Sequence, residues 1–258
     1  MQEKRDTVRI AAGPEPADVI PRLRESVVAI LRLHPNARSH AKKDGGTFEG
    51  SIVGTAFCVL ANRYLLTAHH ILAGGAKRLE RDRFVAFAVP RNGRDAVHFP
   101  VTGFPLERPD LDFAVLAIEP GATAGFALPA LALGFEEERD GAAVLSLGFP
   151  APKVVKLGVD PAGNYRGGEF FLKSHANTGI VSAFYTVGGI PFYELNIGWH
   201  HGESGGPIVT LSDPPVAFSM MQHYRNIQSP HGVMAGPHRG RSFAPIRDEL
   251  AALGVHPA

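Results

Sequence analysis

Glycine and proline interrupt this chain before any long helix can run: 29 Gly and 21 Pro are scattered through its 258 residues, and the apolar stretches between them are short. In a helix interior Gly costs about 1 kcal/mol and Pro about 3 relative to Ala, so the sequence favours many brief strands. Such runs fall at 55–60, 64–67, 113–118, 143–148, 178–184, 192–197, 207–211 and 216–222, a spacing typical of barrels and sandwiches. Residues 84–89 and 96–101 flank Pro90-Arg91-Asn92-Gly93, whose Asn-Gly pair supplies the positive φ angles of a tight hairpin. Ala17 to Leu33 reads as helix passing into strand, and 34–50, polar and unpatterned, as an exposed loop. Arg247 to Leu253, behind Pro245, is the one segment that reads clearly as helix, and 119–142 reads as a crossover between two β units.

Charge removes two classes of partner. Lys and Arg number 26 against 25 Asp and Glu, a net +1, so no global field gathers a phosphate backbone or an anionic membrane, and neither nucleic acid nor membrane is expected. No apolar run approaches the ~18 residues that span a bilayer. Cys58 is the single cysteine, which excludes an intramolecular disulfide and reads as a small buried hydrophobe. Met1 to Asp6 leads into no apolar signal segment, so a cytoplasmic location is expected.

Three short motifs carry chemistry. In Gly202-Glu203-Ser204-Gly205-Gly206-Pro207, glycines let the backbone turn so that the amides of Gly202 and Ser204 converge on one oxygen. A serine hydroxyl attacks a carbonyl only when a base takes its proton, and acyl transfer needs donors for the oxyanion that forms. Leu65-Leu66-Thr67-Ala68-His69-His70 is an apolar strand ending in a small-residue turn with two histidines competing for the base. Asp110-Leu111-Asp112-Phe113-Ala114-Val115-Leu116 puts two candidate acids before a continuous apolar strand.

Taken in that order along the chain, the three resemble the hallmarks of the trypsin/chymotrypsin-like serine protease family, and the pattern is similar to bacterial HtrA-type protease domains. Thr178 to Ala183 and Gly240 to Ile246 look like strands of those members, and the resemblance covers roughly residues 50 to 250. It implies His70, three residues after Thr67, as base; Asp112, which opens the Asp-apolar-Ala-apolar-Leu pattern, as orienting acid; and Ser204 as nucleophile. The implied fold is all-β, two antiparallel six-stranded barrels with a short C-terminal helix and the site between them. Boundaries follow: a lead-in at 1–24 and a protease domain at 25–250, with its first barrel about 25–120, crossover about 121–141 and second barrel about 142–246. A helix and tail occupy 247–258. No chain follows Ala258 to form a PDZ domain, so a bare protease domain is expected.

The implied activity is cleavage of a protein or peptide substrate, with no cofactor. Ile52-Val53-Gly54-Thr55 imitates the new terminus of an activated zymogen but stands too close to His70 for that role, and reads instead as strand. The full chain is therefore expected to react without proteolysis, or else to be switched by a partner protein or by oligomerisation. Glu203 replaces the family's Asp or Asn before the nucleophile. The family position for the floor of the S1 pocket is Gly198, with Trp199 and His201 beside it and Met220, Met221 and Gln222 as the opposite wall. Without an acid at Gly198 a buried basic side chain would lie unpaired, so cleavage after Lys or Arg is not expected; small or medium aliphatic residues are, with an acidic alternative from His200 and His201.

Three rivals differ in class. Gly202-Glu203-Ser204-Gly205-Gly206 also fits the nucleophile elbow of α/β-hydrolases, but there acid and histidine follow the serine. A catalytically idle protease fold used as a binding module would be expected to lack a triad member, and none is missing. A metal site at His69-His70 or His200-His201 suffers because neighbours on a strand face opposite ways, so none is expected.

Overall fold

Apolar runs bounded by turns become strands, and in the computed structural model of this chain they close into two barrels. The structure describes residues 14–35, 48–73, 78–89, 96–119, 126–198, 200–229 and 232–257. The first barrel comprises β1 (Val27–Pro35), β2 (Phe48–Leu60), β3 (Tyr64–Ala68), β4 (Arg83–Ala88), β5 (Val97–Arg108) and β6 (Phe113–Ile118). They form a ring in the order β1-β2-β3-β6-β5-β4, antiparallel throughout. Val27 to Leu31 and Phe113 to Leu116 are buried at every position, because these strands are covered on both faces. Helix α1 (Pro16–Ser26) leads in, burying Val19 and Leu23 one turn apart, and α2 (His70–Ala73) is a single turn after β3.

The second barrel follows β7 (Ala132–Leu133) and is built from β8 (Ala143–Gly148), β11 (His175–Val187), β12 (Ile190–Leu195), β13 (Pro207–Thr210), β14 (Val216–Ser229) and β15 (Gly232–Ser242), with β9 (Lys153–Val159) and β10 (Tyr165–Phe171) as a separate hairpin. The ring β8-β11-β12-β15-β14-β13 is closed by the pairing of β13 with both β14 and β8, and β7 adds to β14 in parallel. A single 3₁₀ turn, Ala244–Ile246, passes into α3 (Arg247–Ala252). The all-β double barrel with its short C-terminal helix is the architecture expected.

Several boundaries differ from the reading of the sequence. Residues 48–50, assigned to a loop, extend β2, and 36–47 lie outside the described residues. The Asn92-Gly93 turn also lies outside them, although β4 and β5 pair in hairpin register, Ala88 opposite Val97. The hairpin β9–β10 was not anticipated. Asp160 turns it: its carboxylate accepts the amides of Ala162 and Asn164 at 3.0 and 2.9 Å and the guanidinium of Arg166 at 2.7 Å. These donors, Asn164 first, pull its carboxyl down to about 2. The hairpin folds back over the first barrel, with Phe170 and Tyr165 at 4.9 and 5.3 Å from Phe87 between ring centroids.

Among the described residues one ion pair is sealed inside. The Arg32 guanidinium meets Asp82 Oδ2 at 2.6 Å, with side-chain exposures of 7% and 0%, and donates a further bond to the Ala73 carbonyl.

Candidate active site

β3 runs out at Ala68, and the next two residues diverge. His70 donates its backbone amide to Asp112 Oδ1 at 2.8 Å, and its ring Nδ1 lies 2.9 Å from Asp112 Oδ2. A carboxylate accepts only, so Nδ1 carries a proton, and in the neutral ring Nε2 keeps its lone pair. His69 turns the other way: its Nε2 is 3.3 Å from Glu107 Oε2, and Arg78 grips that same carboxylate with two bonds of 2.8 and 2.9 Å. Asp110 pairs with Arg108 at 2.8 Å, which holds its carboxyl below the usual range. Of the two histidines and two acids that competed in the sequence, the structure brings His70 and Asp112 together.

The turn that presents Asp112 is held from outside its own barrel. Asp112 sits at φ +56°, a left-handed conformation that costs a non-glycine residue free energy. Its carbonyl accepts the His69 amide at 3.1 Å and the buried Gln222 side-chain amide, reaching over from β14, at 3.2 Å.

Ser204 comes from the second barrel and lines one cleft of about 400 Å³ with His70, Gly202, His201, Ile52, Val53, Ile71, Ala151 and Pro152. Its hydroxyl donates to the Gln222 carbonyl at 3.3 Å. Around it the loop's polar groups are paired almost completely. The amides of Glu203, Gly205 and Gly206 donate to His200 O, Met221 O and Glu203 O at 3.1, 2.7 and 2.9 Å. The carbonyl of His201 accepts the Ala151 amide at 2.9 Å and that of Ser204 the Thr55 amide at 2.8 Å. Among the described residues, the amides of Gly202 and Ser204 donate to no backbone carbonyl. Gly202, at φ +101°, takes a conformation only glycine adopts readily.

Glu203 is 2% exposed, and its carboxylate is capped by the Asn177 side-chain amide at 3.1 Å and the His200 backbone amide at 2.6 Å. Burial nonetheless raises its carboxyl above the ordinary range. Cys58 is buried as expected, its thiol pushed up to about 12 by desolvation. No cluster of three or more metal-ligating side chains occurs among the described residues.

The S1 residues read from the sequence are dispersed. Gly198 is exposed, near the Asn177 side chain, Trp199 lies outside the described residues, and His201 lines the cleft. The methionine-lined wall needs correction. Met220 and Met221 are successive residues on β14 and point to opposite faces, so one is sealed in each core cluster. Gln222 is 1% exposed and directs its amide toward the acid turn. Two residues at the site escaped sequence reasoning. Asn177 and Thr55 act across more than 20 positions, and no string read from the sequence gives either a role at the site.

Comparisons with known proteins agree on this geometry's setting. The profile of a family described as the trypsin-like peptidase domain matches residues 54–216. No curated protein matches the sequence. Among solved structures, 93% of this chain superposes on 67% of an HtrA-type protease, AlgW, determined with a decapeptide, at a TM-score of 0.61 and 20% identity. For Deg5 the figures are 86% of this chain, 87% of that one, 0.55 and 17%. Identities this low speak for a shared fold.

Proposed function

The chain belongs to the trypsin-like peptidase domain family, and from that premise we propose that it is a serine endopeptidase acting through His70, Asp112 and Ser204. The observation that carries the reading is the bond of His70 Nδ1 to Asp112 at 2.9 Å, which leaves Nε2 as the basic nitrogen in a cleft that Ser204 also lines. In the reaction the Ser204 hydroxyl leaves the Gln222 carbonyl, gives its proton to His70 Nε2 and attacks the peptide carbonyl. The carbonyl oxygen takes the negative charge and accepts the amides of Gly202 and Ser204. Collapse breaks the C–N bond, with His70 returning the proton to the leaving amine. Water then repeats the sequence on the acyl-enzyme. Asp112 fixes the imidazole tautomer and stabilises the imidazolium without itself taking the proton.

The substrate is a peptide: the cleft beside Ser204 is walled by Ile52, Val53, Ile71 and Pro152, which favours apolar side chains next to the scissile bond. Among the described residues no Asp or Glu lines that cleft to pair with Lys or Arg, so the preference is non-basic. Labelling with a fluorophosphonate, compared between the native protein and Ser204→Ala, tests the proposal. Labelling and peptide hydrolysis that both vanish in the variant support it. A native protein that neither labels nor hydrolyses is an idle scaffold, and equal labelling of the two proteins would put the nucleophile elsewhere.

A further inference from the structure

Thr55 stands in the middle of β2, fully buried and uncharged. Its three polar groups nevertheless all meet elements of the candidate site. The hydroxyl donates to the Gly202 carbonyl at 2.7 Å and accepts the Phe149 amide at 3.1 Å, using its single donor and one lone pair. Its backbone amide donates to the Ser204 carbonyl at 2.8 Å, and its own carbonyl is gripped by the Thr67 hydroxyl at 2.6 Å.

A peptide unit is planar, so holding its carbonyl also aims its amide. The unit between Gly202 and Glu203 lies between the two amides that face the oxyanion. Thr55 holds it at the oxygen and His200 O holds it at the nitrogen. The unit after Ser204 is held at its oxygen by Thr55 and at its nitrogen by Met221 O. Thr55 thus fixes the peptide on each side of the Ser204 amide's own unit, from the opposite barrel.

We propose that Thr55, through its hydroxyl, is a positioning residue for the oxyanion-binding amides of Gly202 and Ser204; the inference rests on the endopeptidase reading above. Without the hydroxyl the part-buried Gly202 carbonyl and the buried Phe149 amide each lose the partner they have among the described residues, and the carbonyl gains by rotating toward another. Rotation of that unit carries the donor amides off the point where charge develops, and donors of this kind act only when held in place before the reaction.

The test compares Thr55→Val, which keeps the shape and removes the hydroxyl, with Thr55→Ser, which keeps the hydroxyl. Active sites are first counted by fluorophosphonate stoichiometry, so that loss of folded protein does not pass for loss of rate. Per active site, Thr55→Val should lower kcat roughly 10²-fold, the scale of losing one oxyanion donor, with KM changed much less. Affinity for a peptide boronate, whose tetrahedral adduct places an oxygen anion at the same amides, should fall in parallel. Thr55→Ser should stay within a few-fold of the native enzyme on all three readouts. If Thr55→Val does not fold, Thr55→Cys, with a weaker donor of similar size, should give an intermediate loss. A kcat per site within two-fold of native in the valine or cysteine variant overturns the proposal, as does unchanged boronate affinity. A native protein without Ser204-dependent hydrolysis overturns the endopeptidase reading, and this inference with it.

Discussion

Gly205 and Gly189 have nearly the same φ, +84° and +82°, yet replacing each by alanine should have very different consequences. Both substitutions force an L-residue into the left-handed region, at about 1–2 kcal/mol. Gly189 sits in the two-residue turn between β11 and β12, where a new Cβ meets nothing within 4 Å, so Gly189→Ala should cost only that strain. At Gly205 the same Cβ lands 2.1 Å from the Thr55 carbonyl oxygen and 2.3 Å from the Thr67 hydroxyl. Neither can withdraw cheaply, since they are bonded to one another at 2.6 Å and Thr55 pairs with β1 in register with Ala29. Gly205 cannot withdraw either without breaking its 2.7 Å bond to Met221 O. Overpacking of about 1–3 kcal/mol and about 1 kcal/mol for a strained hydrogen bond add to the shared term, giving about 3–6 kcal/mol for Gly205→Ala. Equilibrium unfolding in urea measures both, provided the slopes agree so that midpoints report stability. Fluorophosphonate labelling should slow in Gly205→Ala, where the peptide after Ser204 is displaced, and hold in Gly189→Ala. Two variants within about 1 kcal/mol of each other would refute the reasoning, because the difference is all steric.

His70→Ala should lower steady-state kcat on a peptide substrate by about 10⁴-fold or more, while His69→Ala, whose ring is held by Glu107, should keep most of it; the reverse would put the base at His69. Burial raises the Glu203 carboxyl, so its charged form is the costly one and the native protein loses stability as pH rises from the ordinary carboxylate range through the raised value. Glutamine does not titrate, so the melting temperature of Glu203→Gln relative to native should climb as pH rises out of the ordinary carboxylate range, and a constant difference would contradict the shift. Arg32→Met leaves the Asp82 carboxylate buried without its cation and should cost about 3–5 kcal/mol in urea unfolding. Adding Asp82→Leu should recover most of that loss, and a double variant no more stable than the single would show that the charge was not the cause.

Local chemistry explains what could be read from the chain and what could not. Strands 64–68, 113–118 and 143–148 were legible because each is an apolar run ended by a turn, a signal contained within its own few residues. The hairpin β9–β10 carries no such signal: Val155 and Phe171 face solvent and its interior positions pack on the other barrel, so neither alternation nor a continuous run marks it. The same distinction divides the site. His70, Asp112 and Ser204 each stand in a short string that resembles a motif of the trypsin-like family. The wall of a pocket has no such string, and counting along β14 placed Met220 and Met221 on it without regard to the pleat, which sends one side chain into each core.

Thr55 marks the far end of that scale. Its partner Gly202 is 147 residues away, and within the strand Gly54-Thr55-Ala56 its hydroxyl is chemically no different from that of any other strand threonine. What singles it out is the accounting of one loop, in which each carbonyl and amide from His201 to Gly206 must find a partner or face substrate. Among the described residues, tracing those partners leaves the amides of Gly202 and Ser204 without a backbone carbonyl and finds the groups that hold the peptides beside them in the same step. A residue of this kind is therefore found by asking which buried polar group holds a reacting peptide in place, a question with no answer until the two barrels are packed against each other.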